Sequence, residues 1–179
     1  MTAVAALIDK DGNAWIGGDS AITWSDRIMC TKNPKVWRTE IAGRFWLVGY
    51  AGRGDVFSAI RNLDLSDAAT LGSVSIAVYE RIQEVLPYFE QADDEPAWSL
   101  LVAGWGSLWI LSDGSADEVS GDYCAIGSGS EVALGVLSVS AQIDPKSRIT
   151  AALMSAERHC ADVRGPFKIL REAEEADPA

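Results

Sequence analysis

The chain opens Met1-Thr-Ala-Val-Ala-Ala-Leu-Ile-Asp-Lys10 and continues Asp11-Gly-Asn-Ala-Trp-Ile-Gly-Gly-Asp-Ser20. Residues 2–9 are apolar and rich in small side chains, as a buried strand requires. Asp11-Gly12 is a strong hairpin signal, because the tight hairpin turns need positive φ. Residues 14–18 form a second short strand that ends on Gly17-Gly18. A β-hairpin thus begins at the very first residues, and the rest of the chain is arranged around it.

Outward from the hairpin, 27–30 and 35–41 read as short strands, and 45–50 as a buried strand by its continuous apolar run. Residues 55–60 form a helix. Ser66-Asp67 is expected to cap a longer one, in which Leu71, Val74, Val78, Ile82, Val85 and Leu86 recur at helical spacing before Pro87. The acidic stretch 91–96 is a surface loop. Residues 98–103 and 107–111 flank Gly104-Trp-Gly106 as a hairpin, and Asp113-Gly114 is a further turn. A strand over 123–126 runs into Gly127-Ser-Gly-Ser130, with a helix after it. Asp144-Pro145 opens another helix, with Ile149, Ala152, Leu153, Ala156 and Cys160 on one face. Gly165-Pro166 breaks it, and 167–170 closes as a strand.

Strand blocks alternate with helix pairs in this order. The pattern predicts an α+β fold, a four-layer αββα sandwich with two antiparallel sheets packed between helix layers. It does not alternate strand and helix singly, so a doubly wound parallel sheet is disfavoured. The length of 179 residues suits one domain, taken as 1–171, with 172–179 expected as an acidic, flexible tail.

Composition narrows the function. A net charge of −11 repels phosphates and anionic lipid, which argues against nucleic-acid and membrane partners. Cys30, Cys124 and Cys160 are too few and too scattered for a disulfide framework or a zinc ribbon. Free thiols, no basic leader and no apolar run near the ~20 residues of a membrane span point to the cytoplasm. Neither a metal nor a cofactor is expected.

His159 is the only histidine and falls inside a helical pattern, so a Ser-His-Asp triad has no good base. There is no nucleophile elbow and no phosphate-binding loop of the Gly-Lys-Ser/Thr kind. A hydrolase of this composition needs another base, and a free α-amine, with an ordinary pKa of about 7.7–8.0, is one. Removal of Met1 would make Thr2 such a residue, carrying hydroxyl and amine together.

Five pieces of the chain strengthen that reading. Thr2-Ala-Val4 resembles the Thr-led first strand of proteasome β-subunits and of the bacterial HslV peptidase, in the N-terminal nucleophile hydrolase family. Gly18-Asp19-Ser20 resembles the Gly-Asp step closing the family's second strand. Lys35-Val36 is similar to its catalytic lysine, at the family's spacing from Asp19. Val48-Gly49-Tyr-Ala-Gly52 resembles its glycine segment, and Ala125-Ile-Gly-Ser-Gly129 its serine-bearing stretch. The resemblance covers most of the chain, with 60–110 similar only in pattern.

The resemblance implies a threonine-type endopeptidase. Thr2 would be the nucleophile, Lys35 the cation beside its amine, and Asp19 the ion partner of Lys35. The Gly49 N–H would face the oxyanion, and Ser128 would hold the amine or a water. Ile22, Trp37, Leu47 and Ala51 would line an apolar S1 pocket. By the same resemblance the chain forms a homo-oligomeric ring, takes peptides or unfolded protein, and has an ATP-dependent unfoldase as a candidate partner. Two positions depart from the proteasomal pattern: Cys160 and Val163 stand where those subunits carry Asp and Ser, and HslV too has cysteine at the first.

Each residue also has a plainer reading. Thr2 is an ordinary strand start, Asp19 a turn residue, Lys35 a surface charge, Gly49 and Gly52 packing glycines, and Ser128 a helix cap. Two rival functions remain beside the peptidase. One is a catalytically inactive, ring-forming structural or partner-binding relative. The other is an amidase of the same family acting on a small molecule.

Overall fold

The structure is a computed structural model that describes residues 2–24, 27–85 and 98–172. The main sheet elements are β1 (Val4–Ile8), β2 (Ala14–Gly18), β3 (Ala21–Trp24), β4 (Arg27–Cys30), β5 (Val36–Ile41) and β6 (Arg44–Gly52). Helices α1 (Gly54–Arg61) and α2 (Leu71–Val85) follow. Then come β7 (Trp98–Gly104), β8 (Ser107–Ser112), β9 (Ser115–Glu118) and β10 (Tyr123–Ile126). Helices α3 (Ser130–Val139) and α4 (Pro145–His159) precede β11 (Lys168–Arg171).

Every strand pair is antiparallel. One sheet has the order β10-β1-β2-β11, a second the order β5-β6-β7-β8-β9, and β3-β4 is a separate ribbon. The opening hairpin of the sequence is therefore the centre of the smaller sheet. Alternation along the strands divides the apolar side chains among three cores. Val4, Ala6 and Ile16 meet Leu47, Leu101 and Leu108 between the two sheets. Tyr50, Trp98 and Val102 pack on α1 and α2 through Phe57, Val74 and Val78. Ala3, Ala5 and Leu7 pack on α3 and α4 through Leu137, Ile149 and Leu153.

Two glycines let these layers approach. A Cβ on Gly17 would meet Ile149 of α4 at 2.5 Å, and one on Gly49 would overlap the side chain of Val4. Both positions need a bare α-carbon because another element crosses there.

Most predicted elements are found, with three differences. β3 and β9 were not foreseen; both are four residues long. Ser66 does not cap α2: Asp64 Oδ1 accepts from Ser66 N–H and Oγ in a local turn. The helix instead starts behind Thr70, whose Oγ1 accepts from the N–H of Ser73 at 3.1 Å. α4 opens as expected, with Asp144 Oδ1 capping Ser147 N–H at 3.0 Å and Pro145 in the first turn. Pro87 and the expected loop over 91–96 lie outside the described residues.

Of the expected tail, 173–179 lie outside the described residues, whereas Glu172 is tied down. Its carboxylate accepts from Ala14 N–H at 3.0 Å and from Trp105 N–H at 2.8 Å.

Candidate active site

The register of β1 assembles the site. Val4 stands opposite Ile126, the last residue of β10, and also opposite Gly18, the last residue of β2. The segments that leave those two strands, Gly127-Ser128-Gly129 and Asp19-Ser20, must therefore flank Thr2 and Ala3 from either side. A Cβ on Gly18 would lie 2.9 Å from Val36 Cγ1, so β5 is also drawn to this point, with Lys35 immediately before its first residue.

Asp19 is fully buried. Its Oδ1 accepts from the Ala3 N–H at 3.1 Å and its Oδ2 from the Ala21 N–H at 3.1 Å. Lys35 Nζ lies 3.1 Å from both carboxylate oxygens. The Asp19 N–H in turn donates to the Ala3 carbonyl at 3.2 Å. Carboxylate and ammonium are thus paired and held by backbone donors, which is the condition for keeping charges in a protein interior. Lys35 is only 7% exposed. Burial pushes its ammonium below the ordinary lysine range, and the Asp19 carboxylate opposes that shift.

On the other side, the Thr2 N–H donates to Ser128 Oγ at 3.2 Å, and Ser128 Oγ lies 3.3 Å from the Thr2 carbonyl oxygen as donor. The Gly129 N–H donates to the same carbonyl at 3.1 Å. Gly127 has φ +90°, and a Cβ there would run into the Thr2 carbonyl. Only glycine meets both demands. Thr2 itself is buried, at 2% exposure.

The structure thus brings Thr2, Asp19, Lys35 and Ser128 together. Gly49 does not join them as a donor: it stands in mid-β6 between Val36 and Leu101, and because the Tyr50 N–H donates to the Lys35 carbonyl at 2.9 Å, the Gly49 N–H turns to β7. The four expected pocket residues do not share one wall. Trp37 packs edge-on against Phe57 of α1 with ring centroids 5.8 Å apart, and Ile22 approaches the start of the same helix at Gly54. Leu47 and Ala51 face the other way, into the core between the sheets. The reason is register: Leu47 pairs with Arg38, one residue beyond Trp37, so the two side chains point to opposite faces.

Cys160 Sγ lies 3.9 Å from the Ser128 carbonyl, and Val163 is buried beside Ala3. Sequence reasoning missed the backbone partners: the N–H of Ala3, the N–H of Gly129 and the positive φ of Gly127. Their one signal is the pair of glycines around Ser128. Among the described residues, no group of three or more His, Cys, Asp or Glu is placed to hold a metal ion. No helix there is long and apolar enough to cross a membrane.

Neither a protein-family model nor a curated protein matches the chain. Solved structures do. BPH from Thiobacillus denitrificans, in complex with epoxomicin, is 18% identical at a TM-score of 0.71, covering 98% of this chain and 100% of that one. Eukaryotic HslV from Trypanosoma brucei is 17% identical at a TM-score of 0.64, covering 94% and 98%. The Anbu complex from Pseudomonas aeruginosa, solved as a helical assembly, is 15% identical at a TM-score of 0.69, covering 94% and 80%. Identities of this size establish a likeness of fold and nothing finer.

Proposed function

We propose that this chain, which has the proteasome-β-like N-terminal nucleophile hydrolase fold of those structures, is a threonine peptidase whose nucleophile is Thr2 after loss of Met1. One observation carries the reading: the register of β1 delivers Asp19 with Lys35 to one side of Thr2-Ala3 and Ser128 to the other. Nothing about an ordinary strand start calls for a buried ion pair on one flank and a hydroxyl on the other.

In this mechanism the Thr2 hydroxyl attacks the scissile carbonyl and its proton passes to the free Thr2 amine, directly or through a water. That proton then goes to the leaving amine, and an ester joins the acyl fragment to Thr2. Water, deprotonated by the same amine, cleaves the ester and restores the hydroxyl. The Lys35 cation lowers the amine's pKa and keeps part of it neutral near pH 7. Ser128 Oγ, already on the Thr2 nitrogen, orients it. An oxyanion donor is worth about 2.7–4 kcal/mol; Gly49, held between Val36 and Leu101 within β6, has its N–H in the sheet ladder, so that donor is another backbone N–H beside Thr2.

The three cores support the four-layer αββα arrangement, with 1–171 as one domain. The Anbu structure, solved as a helical assembly, supports a homo-oligomer, and the family resemblance makes it a ring. Substrates are peptides or unfolded protein, with Ile22 and Trp37 near α1 as the apolar contacts, an ATP-driven unfoldase as the supplier and the cytoplasm as the location.

A second reading follows from the same hydrogen bond. With Met1 attached, the Thr2 nitrogen that meets Ser128 is a peptide amide and has no basicity. A chain that keeps Met1 is then a non-catalytic, ring-forming relative. A small-molecule amidase would share Thr2 and differ in pocket. Epoxomicin, which the BPH structure holds, separates these. Intact-mass analysis should show a chain one methionine lighter that gains one epoxomicin. A full-length mass with no epoxomicin bound would leave the non-catalytic reading in its place, and hydrolysis of simple amides but not peptides would favour the amidase.

A further inference from the structure

Arg164 follows α4 and is not accounted for by the chemistry above. Its Nη1 lies 3.1 Å from the Glu157 carbonyl, 3.3 Å from that of Cys160 and 2.7 Å from that of Val163. One Nη1 carries two hydrogens and meets three acceptors, so the guanidinium acts here as a positive charge as much as a donor. It sits at the negative end of α4, where the last carbonyls lack helical partners.

The segment that this charge gathers, 160–166, touches both flanks of Thr2. The Arg164 carbonyl accepts from the Ser20 N–H at 3.2 Å, directly after Asp19. Ser20 Oγ donates to the Pro166 carbonyl at 2.6 Å. Val163 is fully buried in the core that holds Ala3, and its Cγ2 lies 3.2 Å from where a Cβ on Gly129 would stand. Gly129 is the residue whose N–H holds the Thr2 carbonyl. Glu157 closes the loop by accepting from the Gly165 N–H at 2.9 Å.

We propose that Arg164 is a positioning residue: its guanidinium draws three carbonyls of 157–163 together and thereby presses the 160–166 segment against Ser20 and Gly129, setting Asp19 and Thr2 in place. This rests on the peptidase reading for its effect on turnover, but not for its effect on geometry. Arg164 touches no reacting atom, and its guanidinium bonds the carbonyls of Glu157, Cys160 and Val163, so its loss acts more on kcat than on KM.

The test replaces Arg164 with Ala and follows two readouts in the full chain. Turnover of a small apolar peptide should fall at least about tenfold in kcat with a smaller change in KM, as expected for a misplaced nucleophile. Amide hydrogen exchange should speed up at Ser20 and Gly129 while Val102, at the centre of β7, stays protected. Millimolar guanidinium chloride, refilling the vacated place, should restore both. Unchanged kcat together with unchanged exchange at Ser20 and Gly129 would overturn the assignment, as would a uniform loss of protection that includes Val102. If Arg164→Ala does not fold, Arg164→Gln, which keeps a donor and lacks the charge, is read by the same two amides, and wild-type exchange there overturns it. If the unmodified chain cleaves no peptide, the peptidase reading falls and the exchange data alone decide the role of Arg164.

Discussion

Replacing Lys35 with Met tests whether the ion pair beside Thr2 is as desolvated as its geometry implies. The substitution keeps the apolar stem and removes the ammonium that lies 3.1 Å from both oxygens of Asp19. The carboxylate keeps its two backbone donors, from Ala3 and Ala21, but stays fully buried without its counter-charge. Removing one partner of a buried pair costs about 3–5 kcal/mol. At about 2–4 °C per kcal/mol for a chain of this size, the midpoint should drop by roughly 6–20 °C. Urea unfolding at fixed protomer concentration measures this directly, since any assembly would otherwise shift the apparent value. The Asp19→Asn/Lys35→Met double variant should recover part of the loss, with a coupling energy of at least about 1.5 kcal/mol. A single Lys35→Met loss below about 1 kcal/mol, with no coupling, would refute the reasoning, because that is the behaviour of a solvated surface pair.

Two further outcomes follow from the same site. The Lys35 pKa is depressed in the folded chain, first by burial and against the pull of Asp19. Between that depressed value and 10.5 the unfolded chain holds more protons than the folded one, so the stability difference between wild type and Lys35→Met should grow as pH rises through this window. Unfolding curves across the alkaline range check the sign, and a difference that shrinks with rising pH contradicts it. Gly127→Ala forces a side chain into φ +90° and against the Thr2 carbonyl. It should cost about 1–3 kcal/mol and reduce turnover by more than the stability loss explains, which paired urea and kinetic measurements would show.

How far the sequence led can be seen at particular residues. The opening hairpin, the Gly18-Asp19 step and the Gly-Ser-Gly run after β10 were readable because turn chemistry and spacing are local properties. Lys35 was readable only through a family resemblance, since nothing local separates a buried lysine from a solvated one. The start of α2 is ambiguous in the sequence because two Ser/Thr-bearing turns lie close together, and it is Thr70 Oγ1, not Ser66, that accepts from a first-turn N–H, that of Ser73. Trp37 and Leu47 part for a different reason: cross-strand register decides which face each side chain takes, and offsets along the chain do not encode register. Arg164 left no signal at all, because its partners are carbonyls, and every residue has one.

The most direct measurement of the central claim is hydrolysis of a short apolar peptide by the purified chain and by its Thr2→Ala variant, both checked to begin at residue 2. The account predicts turnover by the first and none above background by the second, with both equally folded. Equal turnover by the two would remove Thr2 from the chemistry.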